Sequence, residues 1–196
     1  MRWGLIAILL AVCGGSVDAQ TSEWPQLSPE VEQLNRTADN AASPAAAAKL
    51  YTESLRLQPD NGPALYGLGR ALLEQDRAAE SLEILRKLDQ LTPNHPDTLT
   101  AMAAALARQP NLRRAQIAEG LDYATRAVEL RSDSPAAWHI LSVLHHANGD
   151  YAAAAEAAIH SVTLASQQEL DPDLIMVYQQ QELACFDALA VFSPLE

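Results

Sequence analysis

The chain has 196 residues, a formal net charge of −12 and a pI near 4.7. So acidic a surface repels phosphate backbones, which sets nucleic acid aside as a partner and leaves protein or peptide partners, basic segments included. Abundant alanine, only eight glycines and the lack of β-branched or aromatic runs exclude a sheet-based fold and point to an all-α chain.

The first residues have the layout of a cleavable export signal: Arg2, an apolar run from Leu5 to Val12, then small residues ending at Val17-Asp18-Ala19. The run is too short to span a bilayer, which takes about 20 apolar residues. This predicts a signal peptide over 1–19, cleavage after Ala19, and a secreted or periplasmic chain starting at Gln20 with no membrane span. Two alternatives stay open. Leu10-Ala11-Val12-Cys13 resembles a bacterial lipobox, which would make Cys13 a lipidated N-terminus, although Val12 stands where Gly, Ala or Ser is usual; the leader can also persist as an uncleaved anchor. Cleavage would remove one base and one acid, so the charge of −12 is unchanged, and would leave Cys185 as the sole cysteine, unable to form an intrachain disulfide.

Residues 20–27 show no periodicity and are expected to be disordered. Beyond them the chain repeats itself. Pro59 and Pro93 lie 34 residues apart and close similar phrases, Ser54-Leu55-Arg56-Leu57-Gln58-Pro59 and Leu88-Asp89-Gln90-Leu91-Thr92-Pro93. Four units follow from that period: 28–61, 62–95, 96–134 and 135–168. The first carries Val31, Leu34, Asn35 and Ala38, then Ala47, Tyr51 and Pro59. The second reads Leu65-x2-Leu68-Gly69-x2-Leu72, then Ser81, Leu85, Leu88 and Pro93. The third has Leu99, Met102, Ala103 and Leu106, then Gly120, Ala124 and Ala127, and is five residues too long, with the excess between Arg108 and Gln116. The fourth gives Trp138-x2-Leu141-Ser142-x2-His145, a Gly149-Asp150-Tyr151 turn, then Ala154 and Ala158.

At about 100° per residue, unit positions 4, 7, 8 and 11 share one face of a first helix, and a second helix must cover that stripe. Small residues at position 8 (Gly69, Ala103, Ser142) and position 20 (Ala47, Ser81, Gly120, Ala154) let the two backbones approach. Pro59-Asp60-Asn61-Gly62-Pro63 and Pro93-Asn94-His95-Pro96-Asp97 stop one helix and start the next, and Ser134-Pro135 is an N-cap followed by proline. Asp171-Pro172 starts a last helix, whose Leu174, Ile175, Tyr178, Cys185, Phe186 and Leu189 are expected on a buried face, with Gln179-Gln180-Gln181-Glu182 on a wet one. Cys185 reads as a buried, inert thiol.

The period and these motifs resemble the tetratricopeptide repeat (TPR), whose pattern is W-x2-L-G-x2-Y, A-x3-F and a final proline. The resemblance covers about 140 residues and implies an all-α, right-handed solenoid of about four helix-turn-helix repeats, with residues 169–196 forming a C-terminal capping helix and tail. It also implies a binding groove on the concave surface, at positions 5, 9 and 12 of each first helix. In the first three repeats these are Glu32, Arg36 and Asp39; Tyr66, Arg70 and Leu73; and Thr100, Ala104 and Ala107. In the fourth they are His139, Val143 and His146. A partner segment is expected across Tyr66, Arg70, Leu73, Thr100, Ala104, His139, Val143 and His146. The Lys and Asn pattern of the family's carboxylate-clamp subgroup is missing, although Arg70 can still pair with a carboxylate.

No phosphate loop, nucleophile elbow, haem-attachment motif or paired catalytic carboxylates occur. The chain therefore reads as non-catalytic and without cofactor, and the TPR resemblance implies a scaffold of the kind that serves envelope, secretion or cytochrome-maturation assembly. His139 and His146, seven residues apart with His145 beside one of them, lack converging partners for a metal, which remains an alternative. They can instead make binding pH-sensitive. Arg108, Arg113 and Arg114 form a small basic spot in an acidic chain.

Overall fold

The computed structural model describes residues 26–192. The expected export signal, Cys13, most of the 20–27 segment and the last four residues lie outside them.

The described residues form nine helices and no strand: α1 (Pro29–Asp39), α2 (Pro44–Leu57), α3 (Gly62–Leu73), α4 (Ala78–Leu91), α5 (Pro96–Ala107), α6 (Arg114–Leu130), α7 (Pro135–Asn148), α8 (Tyr151–Gln167) and α9 (Pro172–Phe192). Five of the nine helices, α1, α2, α3, α7 and α9, open on a side-chain cap. The side chains of Ser28, Ser43, Asn61 and Ser134 accept the N–H three residues on, at 3.2–3.3 Å, and proline occupies the first or second position of the helix that follows. Asp171 Oδ1 accepts the Asp173 N–H at 2.9 Å to open α9. Between α7 and α8 the chain turns at Gly149, whose φ of +87° is open to glycine at little cost.

Helices pack only on near neighbours. Each touches the next in sequence, and α1, α3, α5, α7 and α9 also form a row in which each touches the following member. The result is a one-dimensional stack of hairpins. Its core is a string of clusters, each formed where a hairpin meets the next first helix. Ala38, Tyr51, Ala64 and Leu68 join α1 to α3; Leu73, Leu82, Leu85 and Met102 join α3 to α5; Leu99, Ala124, Leu141 and Leu144 join α5 to α7.

At two of the small positions an added side chain would crowd a neighbouring helix. A Cβ on Gly69 would stand 2.7 Å from Leu85 Cδ2, and one on Gly120 would stand 3.0 Å from Leu144 Cδ2. Ser81 Oγ, fully buried, donates to the Gly69 carbonyl at 2.7 Å, so the hydroxyl is satisfied at the same contact. In the first hairpin, Asn35 takes the slot that Gly69 fills in the second, and it is not an orphan. Ser54 Oγ donates to Asn35 Oδ1 at 2.6 Å, and Asn61 Nδ2 donates to Ser54 Oγ at 2.9 Å, forming a buried polar knot between α1, α2 and α3.

The third unit's extra length is split between a longer turn, Arg108 to Arg113, and additional residues in α6, which has 17 against 14 in α4. There Gln116 Oε1 accepts the Arg113 N–H at 3.0 Å, and Arg108 Nη1 donates to the Leu73 carbonyl at 3.1 Å, tying the turn back to the end of α3.

The last helix differs from its sequence reading. It does not present one buried and one polar face. Ile175, Tyr178, Cys185 and Leu189 turn inward, but Leu174 and Phe186, expected with them, are 40% and 44% exposed. The reason is that α9 stands as a further first helix, packed on α7 and α8 alone, and nothing among the described residues covers its other side. Cys185 is fully buried, and its Sγ accepts from Gln181 Nε2 at 3.3 Å. Burial pushes its thiol pKa up, which keeps it protonated and unreactive.

A candidate binding cleft along the first helices

The row of first helices lines an open cleft of about 330 Å³. Tyr66, Arg70 and Leu73 from α3, Thr100 and Ala104 from α5, and His139 from α7 all border it, because residues four apart on each helix face the same way. Leu73 is chiefly a core residue between α3, α4 and α5 and contributes to the cleft floor. Thr100 Oγ1 is spent on the Pro96 carbonyl at 2.8 Å, so this position offers mainly its methyl group.

Other groove positions fall elsewhere. Glu32 and Arg36 pair with each other at 2.9 Å on exposed α1, and Asp39 accepts the Tyr51 hydroxyl. Val143 and His146, further along α7, do not border the cleft. It ends where α9 lies against α7 and the Tyr178 ring meets His139 at 4.7 Å between centroids; beyond that point His146 packs edge-on against Tyr151, which stacks on Phe192. The far wall is therefore Leu174, Val177 and Tyr178 of α9. No period in the chain links α9 to the groove, so sequence reasoning misses this wall. Arg108, which the sequence groups with Arg113 and Arg114, stands instead at the cleft edge.

Electrostatically the cleft is an apolar trough with two guanidiniums on its rim. Arg70 is held loosely, 3.8 Å from Glu74. Asp97, the one carboxylate lining the cleft, is already engaged by Arg131 at the end of α6 in the same hairpin. His139 is depressed to about pKa 4, first by burial and second by the charge of Arg108. It is thus neutral near physiological pH, so it does not supply the pH sensitivity that its sequence reading offered. The three histidines of α7 also turn to different neighbours: His139 to Tyr178, His146 to Tyr151, and His145 Nδ1 to within 3.7 Å of Asp150. They share no point at which an ion would be held.

The depressed His139 makes a stability prediction. The unfolded chain takes up a proton near pH 6.5 and the folded chain only near 4, so this contribution is complete above about 6.5 and is lost as pH falls between the two values. The loss approaches about 1.4 kcal/mol per pH unit at its steepest. A His139→Phe variant, compared with wild type by denaturant unfolding from pH 7 to 4, should lack that increment.

A stack of helical hairpins with an open trough along its first helices is a helical-repeat solenoid, a class that works as a protein-interaction scaffold. Tetratricopeptide-repeat family models match residues 41–108 and 111–160, and the chain belongs to that family. Cellulose synthase operon protein C of Pseudomonas fluorescens (strain SBW25) is 34% identical over 88 residues; the match takes in 45% of this chain and 7% of the length of that protein. Among solved structures, a thermophilic TPR protein of Thermus thermophilus aligns with a TM-score of 0.63 at 18% identity, covering 82% of this chain and 90% of that one. MamA of Desulfovibrio magneticus RS-1 aligns at 0.61 and 17% identity over 84% and 94% of the two chains. A Thermobaculum terrenum O-GlcNAc transferase aligns at 0.58 and 24% identity, covering 70% of this chain and 26% of the transferase. These likenesses concern the fold. No helix among the described residues is long and apolar enough to cross a membrane.

Proposed function

We propose that this chain is an exported, non-catalytic adaptor that seats an extended or helical segment of a partner protein in the cleft between α3, α5, α7 and α9. The observation that carries the reading is the convergence of Tyr66, Arg70, Ala104, Arg108, His139 and Val177 on one trough. The small side chains of α5 leave room in the middle, the aromatic and aliphatic walls supply burial, and the two rim arginines favour a guest with a carboxylate. An envelope setting is supported by the leader-like N-terminus and by the name of the relative from a cellulose synthase operon.

The test is photo-crosslinking in the native cell. A photoreactive residue in place of Thr100 should trap a defined partner, and one in place of Glu83, exposed in the groove between α2 and α4, should not. Tyr66→Ala with Arg70→Ala should reduce the Thr100 adduct by at least about tenfold, the scale of losing two anchor side chains. Identical adducts from both positions, or an adduct indifferent to the double variant, would refute the cleft. Intact mass of the exported protein should give a chain beginning at Gln20; an acylated Cys13 would make it a lipoprotein instead.

A further inference from the structure

The four hairpins and α9 differ in one respect. Each of α1, α3, α5 and α7 is covered by the second helix of its own hairpin, and α9 has no such partner among the described residues. The side left open is apolar. Met176, Leu183 and Phe186, spaced seven and three residues apart, form a stripe that is 50%, 62% and 44% exposed. It lies about 100° around the helix from the inward stripe of Ile175, Tyr178, Cys185 and Leu189. Gln179 fills the gap between Met176 and Leu183, so the three-and-four spacing that a second helix packs against holds with one polar member.

Charge says what kind of helix fits. All 13 lysines and arginines lie at or before Arg131, and nine carboxylates follow it. On α9 itself the flanking charges are Asp173, Glu182 and Asp187. A second copy of the chain would bring the same carboxylates face to face, and an anionic lipid surface would be repelled. A helix with an apolar stripe and lysine or arginine flanks would bury the exposed residues and pair its charges.

We propose that the open side of α9 is a docking site for a basic amphipathic helix of a partner protein, which completes a fifth hairpin. The guest stands further off than a true second helix does. Gln179 occupies the slot that Gly69, Ala103 and Ser142 keep small, so contact is through side-chain tips, which suits a partner that is released. The site lies on a different side of α9 from Leu174 and Val177 and does not depend on what the cleft binds.

The experiment uses the full chain and a fluorescent synthetic helix of about three heptads, apolar at its a and d positions and flanked by lysine and arginine. Binding should be measurable by anisotropy, weaken with salt, and fall at least about tenfold in Leu183→Glu. Because Leu183 is 62% exposed, that variant should keep the wild-type melting temperature. Asp173→Lys with Asp187→Lys should weaken the basic helix and strengthen a matched glutamate-flanked one, and Tyr66→Ala with Arg70→Ala should change neither. Three outcomes would overturn the proposal: equal binding of basic and acidic helices to wild type, binding indifferent to Leu183→Glu, and self-association of the chain abolished by Leu183→Glu.

Discussion

Leu85→Ala should lower the unfolding free energy by about 2–5 kcal/mol, and adding Gly69→Ala to it should recover part of that loss, although Gly69→Ala alone destabilises. Leu85 is fully buried, and its Cγ and Cδ2 would lie 2.8 and 2.7 Å from a Cβ on Gly69. In the wild-type background the added methyl group has nowhere to go, so α3 and α4 must separate. Once Leu85 is cut back, the methyl group enters the space it vacated. The roughly 1 kcal/mol by which alanine outranks glycine within a helix is then realised as well. The two changes should therefore couple by about 1–3 kcal/mol in a double-mutant cycle followed by urea unfolding. Strict additivity would mean that Leu85 and Gly69 do not set the spacing of that hairpin.

Asn61→Ala should cost about 2–4 kcal/mol, more than a surface cap is worth, because one side chain does two jobs. Its Oδ1 accepts the Ala64 N–H at 3.2 Å as the cap of α3. Its amide also joins the buried Asn35 and Ser54, so removal leaves both with too few partners away from water. Asn61→Ser restores an acceptor for the cap without rebuilding the knot, and should fall between alanine and wild type. If alanine and serine cost the same, the cap contributes nothing beyond the knot.

How far the sequence leads can be judged at these same residues. The 34-residue spacing of Pro59 and Pro93, with Gly69 and Ser81 between them, contains the hairpin, because closeness of two helices leaves its mark as small residues at fixed positions. The first helices' outward positions are legible for the same reason: Tyr66, Arg70, Thr100, Ala104 and His139 do border one cleft. What is not legible depends on a contact without a period. Asn35 is a poor match to a small-residue slot, and only its bonds to Ser54 and Asn61 explain it. Tyr178 closes the cleft on His139, which excludes Val143 and His146 and buries the imidazole that composition alone would make a switch near neutral pH. Leu174 and Phe186 read as inward when hydrophobic character is equated with burial, and a helix with no second helix laid over it among the described residues breaks that equation.

The packing of each helix on near neighbours alone has a mechanical consequence. Tension applied to the two ends loads every interface in series, so nothing further along the chain shields a hairpin once its own seam gives. Under tension such a body should give way hairpin by hairpin, lengthening in steps.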